Sequence, residues 1–235
     1  MFLANALKLK SRVLSSFSLG EVTGLKAWYK LKKNVSVDGN GDVSEWGDSS
    51  GNTSEDMDLL PPASDNDVPY NASTGALSFT TGNKSTLATA SDQLNLGAFT
   101  IFGVFDVIES GASNEAVIGR AGNDELRFYR GAAAAGFRAR INGINRDIDL
   151  DSGLPTGKFL FTIIRRASDG QMTIRINGST QTNTSTLAIT NLFDFTKIGN
   201  GLTDADVYEL AIYNVELSAT NITTVEADIN SRNGL

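Results

Sequence analysis

Carboxylates are the main acid/base candidates of this chain, because its 235 residues include no histidine and no cysteine. That absence excludes Ser-His-Asp catalysis, histidine or thiolate metal ligation, cysteine nucleophiles and disulfides. Three groups of residues have spacing that suits a site. Asp38, Asn40 and Asp42 offer side-chain oxygens at alternate positions, as the start of a calcium loop does, although Val43 stands where such a loop needs glycine and Ser49 where it needs a bidentate Glu. Asp38-Gly39 and Asn40-Gly41 are also strong turn dipeptides, so a plain turn accounts for the same residues. Trp46 beside Asp48, with Tyr70 across a variable loop, could form an aromatic platform with a carboxylate for stacking and hydrogen-bonding a sugar; packing of Trp28 and Trp46 in the core is the competing expectation. The third group is the N-terminal stretch MFLANALKLKSRVLSSFSLG. If helical, it sets Leu3, Leu7, Leu14 and Phe17 roughly along one side and Lys8, Lys10 and Arg12 elsewhere, fit to dock on an acidic, partly apolar neighbour or on its own domain.

Charge sharpens the third group. Residues 1–20 contribute +3 while the whole chain carries −7, so the remainder carries −10 and a basic arm precedes an acidic body. The net charge argues against nucleic acid as a partner, since phosphate neutralisation needs clustered Lys and Arg. The arm is too short and too interrupted by cations to act as a secretion signal or a membrane span. Several Asn-x-Ser/Thr triplets occur in a chain rich in those residues and are assigned no role.

The elements that must position these residues are strands. Hydrophobic residues make up 40% and charged residues 20%, with abundant Gly, Ser, Thr and Asn, the balance of many short strands joined by turns. Strand patterns occur at Gly24 to Leu31, where Ala27 and Tyr29 alternate against Trp28, and at Phe99 to Ile108, which reads as buried on both faces. Residues 52–71 hold three of the four prolines and several acids and read as an ordered but irregular surface loop. KFLFTIIRRASDGQMTIRING is a hairpin, with Phe159, Phe161 and Ile163 alternating on one arm, Met172, Ile174 and Ile176 on the other, and Asp169-Gly170 in the turn. Val207 to Tyr213 is a further strand. After it, Ser218 is an N-cap for a short helix whose Ile222, Val225 and Ile229 share one face, with Leu217 and Ile222 at the positions of a hydrophobic staple. The expected fold is therefore all-β: an antiparallel two-sheet β-sandwich, or jelly roll, over residues 21–235, with the arm at 1–20 and a short C-terminal helix.

The order of GLKAWYKL, VSEWGDSSGN (with Trp46, Asp48, Gly51 and Asn52), KFLFTIIRRASDGQMTIRINGS and YELAIYNVELSATNI resembles the concanavalin A-like lectin/glucanase superfamily, particularly its laminin G-like branch, over roughly residues 24–230. The resemblance implies glycan binding, protein binding, polysaccharide hydrolysis or a structural role. Hydrolases of that superfamily share Glu-x-Asp-x-x-Glu on a core strand. Here Glu226-Ala227-Asp228 ends in Ser231 and lies in the helix, while Glu209 is followed by Ala211, so no catalytic residue is expected. Many laminin G-like domains hold calcium, which keeps Asp38, Asn40 and Asp42 as the candidate ligands; no other cofactor is implied. Architecture and composition also resemble structural proteins of tailed bacteriophages, notably those of cyanobacteria. The expectation is a non-enzymatic virion protein, a capsid decoration or fibre component, attached through its arm to other virion proteins and forming a homo-oligomer. The alternative is a cell-surface or extracellular carbohydrate-binding adhesin.

Overall fold

The computed structural model describes residues 17–62, 68–80, 86–89, 91–107, 115–120, 122–130, 135–199 and 204–235. Two large antiparallel sheets face each other. The first runs Ser179–Thr180, Gln171–Ile176, Phe159–Arg165, Phe99–Val107, Ala205–Tyr213, Ala76–Phe79, Tyr70–Asn71, with Leu25–Tyr29 also paired to Ala205–Tyr213. The second runs Ile144–Asp149, Ala135–Ile141, Asp124–Arg130, Glu115–Arg120, Lys197–Ile198, Leu87–Thr89, Leu59–Leu60, Val43–Trp46, Val35–Val37. Between them lies a core dense in rings: Phe105, Phe128, Phe137, Phe159 and Phe161 form a chain of contacts with centroids 4.8–6.5 Å apart. Gly103 is required there, because a Cβ on it would come within 2.3 Å of the Phe105 ring. Among the described residues, no helix is long and apolar enough to cross a membrane.

The terminal strand Ala205–Tyr213 and its neighbour Phe99–Val107 are buried on both faces along most of their length, as their largely apolar sequences require. One face meets the second sheet. The other is covered by the helix Ala219–Asn233, which lays Ile222, Val225 and Ile229 against Trp28, Phe102, Val104, Leu160 and Tyr213. The helix starts where its sequence says it should: the Ser218 hydroxyl accepts from the Asn221 amide at 3.2 Å, and Leu217 and Ile222 are both buried in this cluster. It stops at Gly234, whose left-handed φ of 67° makes the C-cap.

Polar groups in this second interface are held by one another. The terminal strand carries a β-bulge between Val207 and Glu209 in its pairing with Phe99–Val107. Val207, Leu210 and Ile212 belong to the core between the sheets, whereas Tyr208, Ala211 and Tyr213 belong to the cluster under the helix. The extra residue shifts the alternation, so Glu209 joins the helix side instead of following Val207 into the sandwich. There its carboxylate, 0% exposed, accepts from Trp28 Nε1 at 2.8 Å, Arg232 Nη2 at 2.7 Å and Asn233 Nδ2 at 2.8 Å. Arg232 also pairs with Asp228, and its guanidinium lies over the Trp28 ring, 5.1 Å from the centroid. A second buried carboxylate, Glu226, takes a two-pronged bond from Arg175 at 2.8 and 2.9 Å and one from the Thr162 hydroxyl at 2.9 Å.

Two expectations change. The base of the arm is part of the sandwich: Phe17 packs on the helix-side cluster, Leu19 is buried, and the Leu19 carbonyl accepts from the Tyr213 hydroxyl at 3.1 Å. The boundary at residue 20 therefore falls too late, since the apolar Phe17 and Leu19 find cover on their own domain; Leu3, Leu7, Lys8, Lys10, Arg12 and Leu14 lie outside the described residues. The loop at 52–71 is also less irregular than its prolines suggest. Leu59–Leu60 adds a strand to the second sheet, and Met57, Leu59 and Val68 are buried in the core.

If the Glu209 cluster holds the helix to the sheet, Glu209→Ala leaves Arg232, Asn233 and the Trp28 indole without their shared acceptor. It should lower unfolding free energy by about 3–5 kcal/mol in urea titration; a loss below about 1 kcal/mol would show that the helix is held by its apolar face alone.

Candidate binding site

The residues singled out by sequence fall into three places. Asp38 is a turn former: its Oδ1 accepts from the amides of Asn40 at 2.8 Å and Asp42 at 3.1 Å, closing the hairpin between Val35–Val37 and Val43–Trp46. Among the described residues no group of three or more His, Cys, Asp or Glu side chains is placed to hold a metal. Trp46 is 0% exposed; its ring packs on Tyr29 with centroids 5.4 Å apart, and its Nε1 reaches the Lys30 carbonyl at 3.4 Å. A sugar platform needs an open ring face, so Trp46 is a core residue and the platform expectation is corrected. Asp48 is likewise occupied. Its Oδ1 accepts from the Trp28 amide at 2.7 Å and the Ser50 amide at 2.9 Å, which fastens the loop after Trp46 to the first strand. Tyr70 is half-buried against the core, and its amide donates to the Gly41 carbonyl at 3.2 Å, setting it beside the Asp38–Asp42 turn.

A cleft with no forerunner among those three groups lies at one end of the sandwich, where hairpin tips meet. The tip between Glu115–Arg120 and Asp124–Arg130 and the Asn142-Gly143 tip between Ala135–Ile141 and Ile144–Asp149 are joined, Gly143 N–H donating to the Asn123 carbonyl at 2.8 Å. Asn142 adopts a left-handed φ of 50°, which its short amide side chain tolerates. Asp124, buried, accepts from the Asn142 amide at 2.8 Å, and burial above all, with Asp194 adding repulsion, pushes its carboxyl up. The third wall is the segment 187–194. Arg165, 0% exposed, clamps it by donating to the carbonyls of Leu187 at 3.0 Å, Ala188 at 2.7 Å and Asn191 at 2.7 Å. Arg120 then pairs with Asp194 at 3.1 Å across the mouth.

The resulting cavity is about 340 Å³, lined by Asn95, Arg120, Asn123, Asp124, Asn142, Thr190, Leu192 and Asp194. Three amides, a hydroxyl, a guanidinium and two carboxylates converge beside Leu192, an apolar side chain that is 45% exposed. Such a lining can donate to and accept from the hydroxyls of a small polar ligand while one apolar contact orients it. Asn142-Gly143 is readable as a turn, but nothing in the sequence tells that this turn meets Asn95 and Asp194.

With Trp46 in the core and Asp38 in a turn, Trp46→Ala should destabilise by about 3–5 kcal/mol in urea titration. Melting temperature should be the same in calcium and in chelator; a calcium-dependent rise would return Asp38, Asn40 and Asp42 to the role of ligands.

No protein-family model matches the chain, and no curated protein matches it. Solved structures do. Trypanosoma rangeli sialidase in complex with sialic acid is 16% identical over 90% of this chain and 33% of its own, with a TM-score of 0.55. A heptameric SAP-like pentraxin from Limulus polyphemus is 12% identical over 63% of this chain and 80% of its own, with a TM-score of 0.50. The chain thus spans a third of the length of the sialidase. Likeness at this level of identity concerns the arrangement of strands and not the residues of any site. The chain shares with these structures an antiparallel β-sandwich arrangement of strands.

Proposed function

We propose that this chain is a non-enzymatic assembly module, a structural protein of a tailed-bacteriophage particle that attaches to a neighbouring subunit through its N-terminal arm. The observation that supports the non-enzymatic part is the use made of its buried carboxylates. Glu209 and Glu226, the acids nearest to a superfamily catalytic pattern, are closed under the helix and bound to Arg232, Asn233, Trp28, Arg175 and Thr162. A carboxylate fixed by two or three donors inside a packed interface has no access to substrate.

Attachment rests on charge and on a fixed point of departure. The arm carries +3 against an acidic body of −10. Its base is tied down through Phe17 and Leu19. A tethered basic, apolar segment suits an acidic surface on another subunit, where charge speeds encounter and buried apolar anchors hold. A second reading is carbohydrate recognition, favoured by the amide-rich cleft at the hairpin tips.

Deleting residues 1–16 should leave the melting temperature within a few degrees of the parent and abolish incorporation into particles, measured by co-sedimentation. Incorporation that survives the deletion defeats the arm. On a glycan panel the assembly reading expects no retention, whereas retention that disappears in Arg120→Ala would shift the assignment to the cleft and to carbohydrate.

A further inference from the structure

The outer face of the second sheet holds charged side chains that neither the core nor the cleft uses. Leu126, Phe128, Phe137, Ala139 and Ile148 point into the core, so alternation sets Glu125, Arg127, Arg138, Arg140 and Asp147 on the opposite face of three adjacent strands. Register places Arg127 directly opposite Arg138, Arg138 opposite Asp147, and Arg140 opposite Glu125. Two guanidinium groups facing each other across an antiparallel pair repel. Asp147 answers one of them: Arg138 grips it with Nε at 2.5 Å and Nη2 at 2.8 Å, which holds that carboxyl below its usual range.

The other two are answered only in part. Glu125 comes within 3.2 Å of Arg127 Nη1, but its Oε1 is taken by the Gly122 amide and its Oε2 makes no aligned hydrogen bond. Arg127 is 9% exposed, and its Nε has no acceptor; nor does the buried Nε of Arg140. Burial above all disfavours the charge on Arg127; Glu125 opposes that effect, and repulsion from Arg138 and Arg140 adds to it. Asp149 stands one row further on, exposed and opposite Gly136. A protein interior pairs its cationic donors almost without exception, so two guanidinium groups short of acceptors on one face call for oxygens from elsewhere.

We propose that Arg127, Arg138 and Arg140 form a binding site for a compact oxyanion, a sulfate group either free or carried on a saccharide. Guanidinium donors match such a group; the fork of Arg138 is held by Asp147, and an oxyanion beside Arg127 and Arg140 offsets the repulsion among the three. Glu125 and Asp147 flank the site and keep its net charge low, which selects a single small anionic group over a polyanion. This site shares no residue with the arm or the cleft, and it stands whether or not either of those has the role given above.

The test is sulfate binding to the full chain. At about 10 mM, where general salting effects are small, sodium sulfate should raise the melting temperature by about 2–4 °C over sodium chloride of equal ionic strength. Arg140→Gln, a substitution that removes no hydrogen bond made among the described residues, should melt with the parent in chloride and lose the sulfate response. N-acetylglucosamine 6-sulfate, titrated calorimetrically beside the unsulfated sugar, distinguishes the source: tighter binding than free sulfate identifies a sulfated saccharide, and equal or weaker binding identifies the free ion. Equal melts in sulfate and chloride, or a sulfate response that persists in Arg140→Gln, would overturn the site.

Discussion

A strand buried on both faces has no solvent side on which to carry charge, and the bulge in Ala205–Tyr213 is how this protein reconciles that constraint with Glu209. Strict alternation from Val207 would send the carboxylate into a core of phenylalanines, where an unpaired charge is too costly to keep. One extra residue turns it to the other face. Much of the remaining architecture can be read as the set of donors that this carboxylate requires: Trp28 from the first strand, and Arg232 and Asn233 from the end of the helix. Three segments far apart in sequence are thereby fixed to one another, and the helix cannot leave the sheet without exposing a buried ion pair.

The same economy explains where recognition can occur. The helix covers one face of the first sheet and the second sheet covers the other, so the open surfaces are the sandwich ends and the outer face of the second sheet. At one end, buried Arg165 organises the 187–191 segment by hydrogen-bonding its carbonyls, and Gly170 lets the chain pass close to it, since a Cβ there would sit 1.9 Å from the Leu187 oxygen. Rigid strands thus present their tips, with Asn123, Asn142 and Asp194, at fixed positions. On the outer face, sheet register alone brings three arginines together.

How far the sequence reveals this depends on how local each signal is. The hairpin of Phe159–Arg165 with Gln171–Ile176 and the helix capped by Ser218 follow from period and cap, both readable within a few residues. Alternation sets Trp28 against Ala27 and Tyr29, and it does lie under the helix while they face the core. Trp46 defeats the platform reading, because an aromatic residue before a polar loop looks the same whether its ring turns in or out. The bulge at Tyr208 breaks the one rule that would have predicted the direction of Glu209. The cleft joins Asn95, Arg120, Asn123, Asp124, Asn142, Thr190, Leu192 and Asp194, and such long-range meetings leave no mark on any short stretch.

If this sandwich is a building block, the copy number of the chain in purified particles from its source is the quantity to determine. Quantitative mass spectrometry against the major shell protein should find it as a fixed component, either in numbers comparable to the shell subunits, as a decoration protein, or in a few copies per particle, as part of a fibre. Its absence from particles would refute the assembly role and leave the cleft at the hairpin tips as the seat of function.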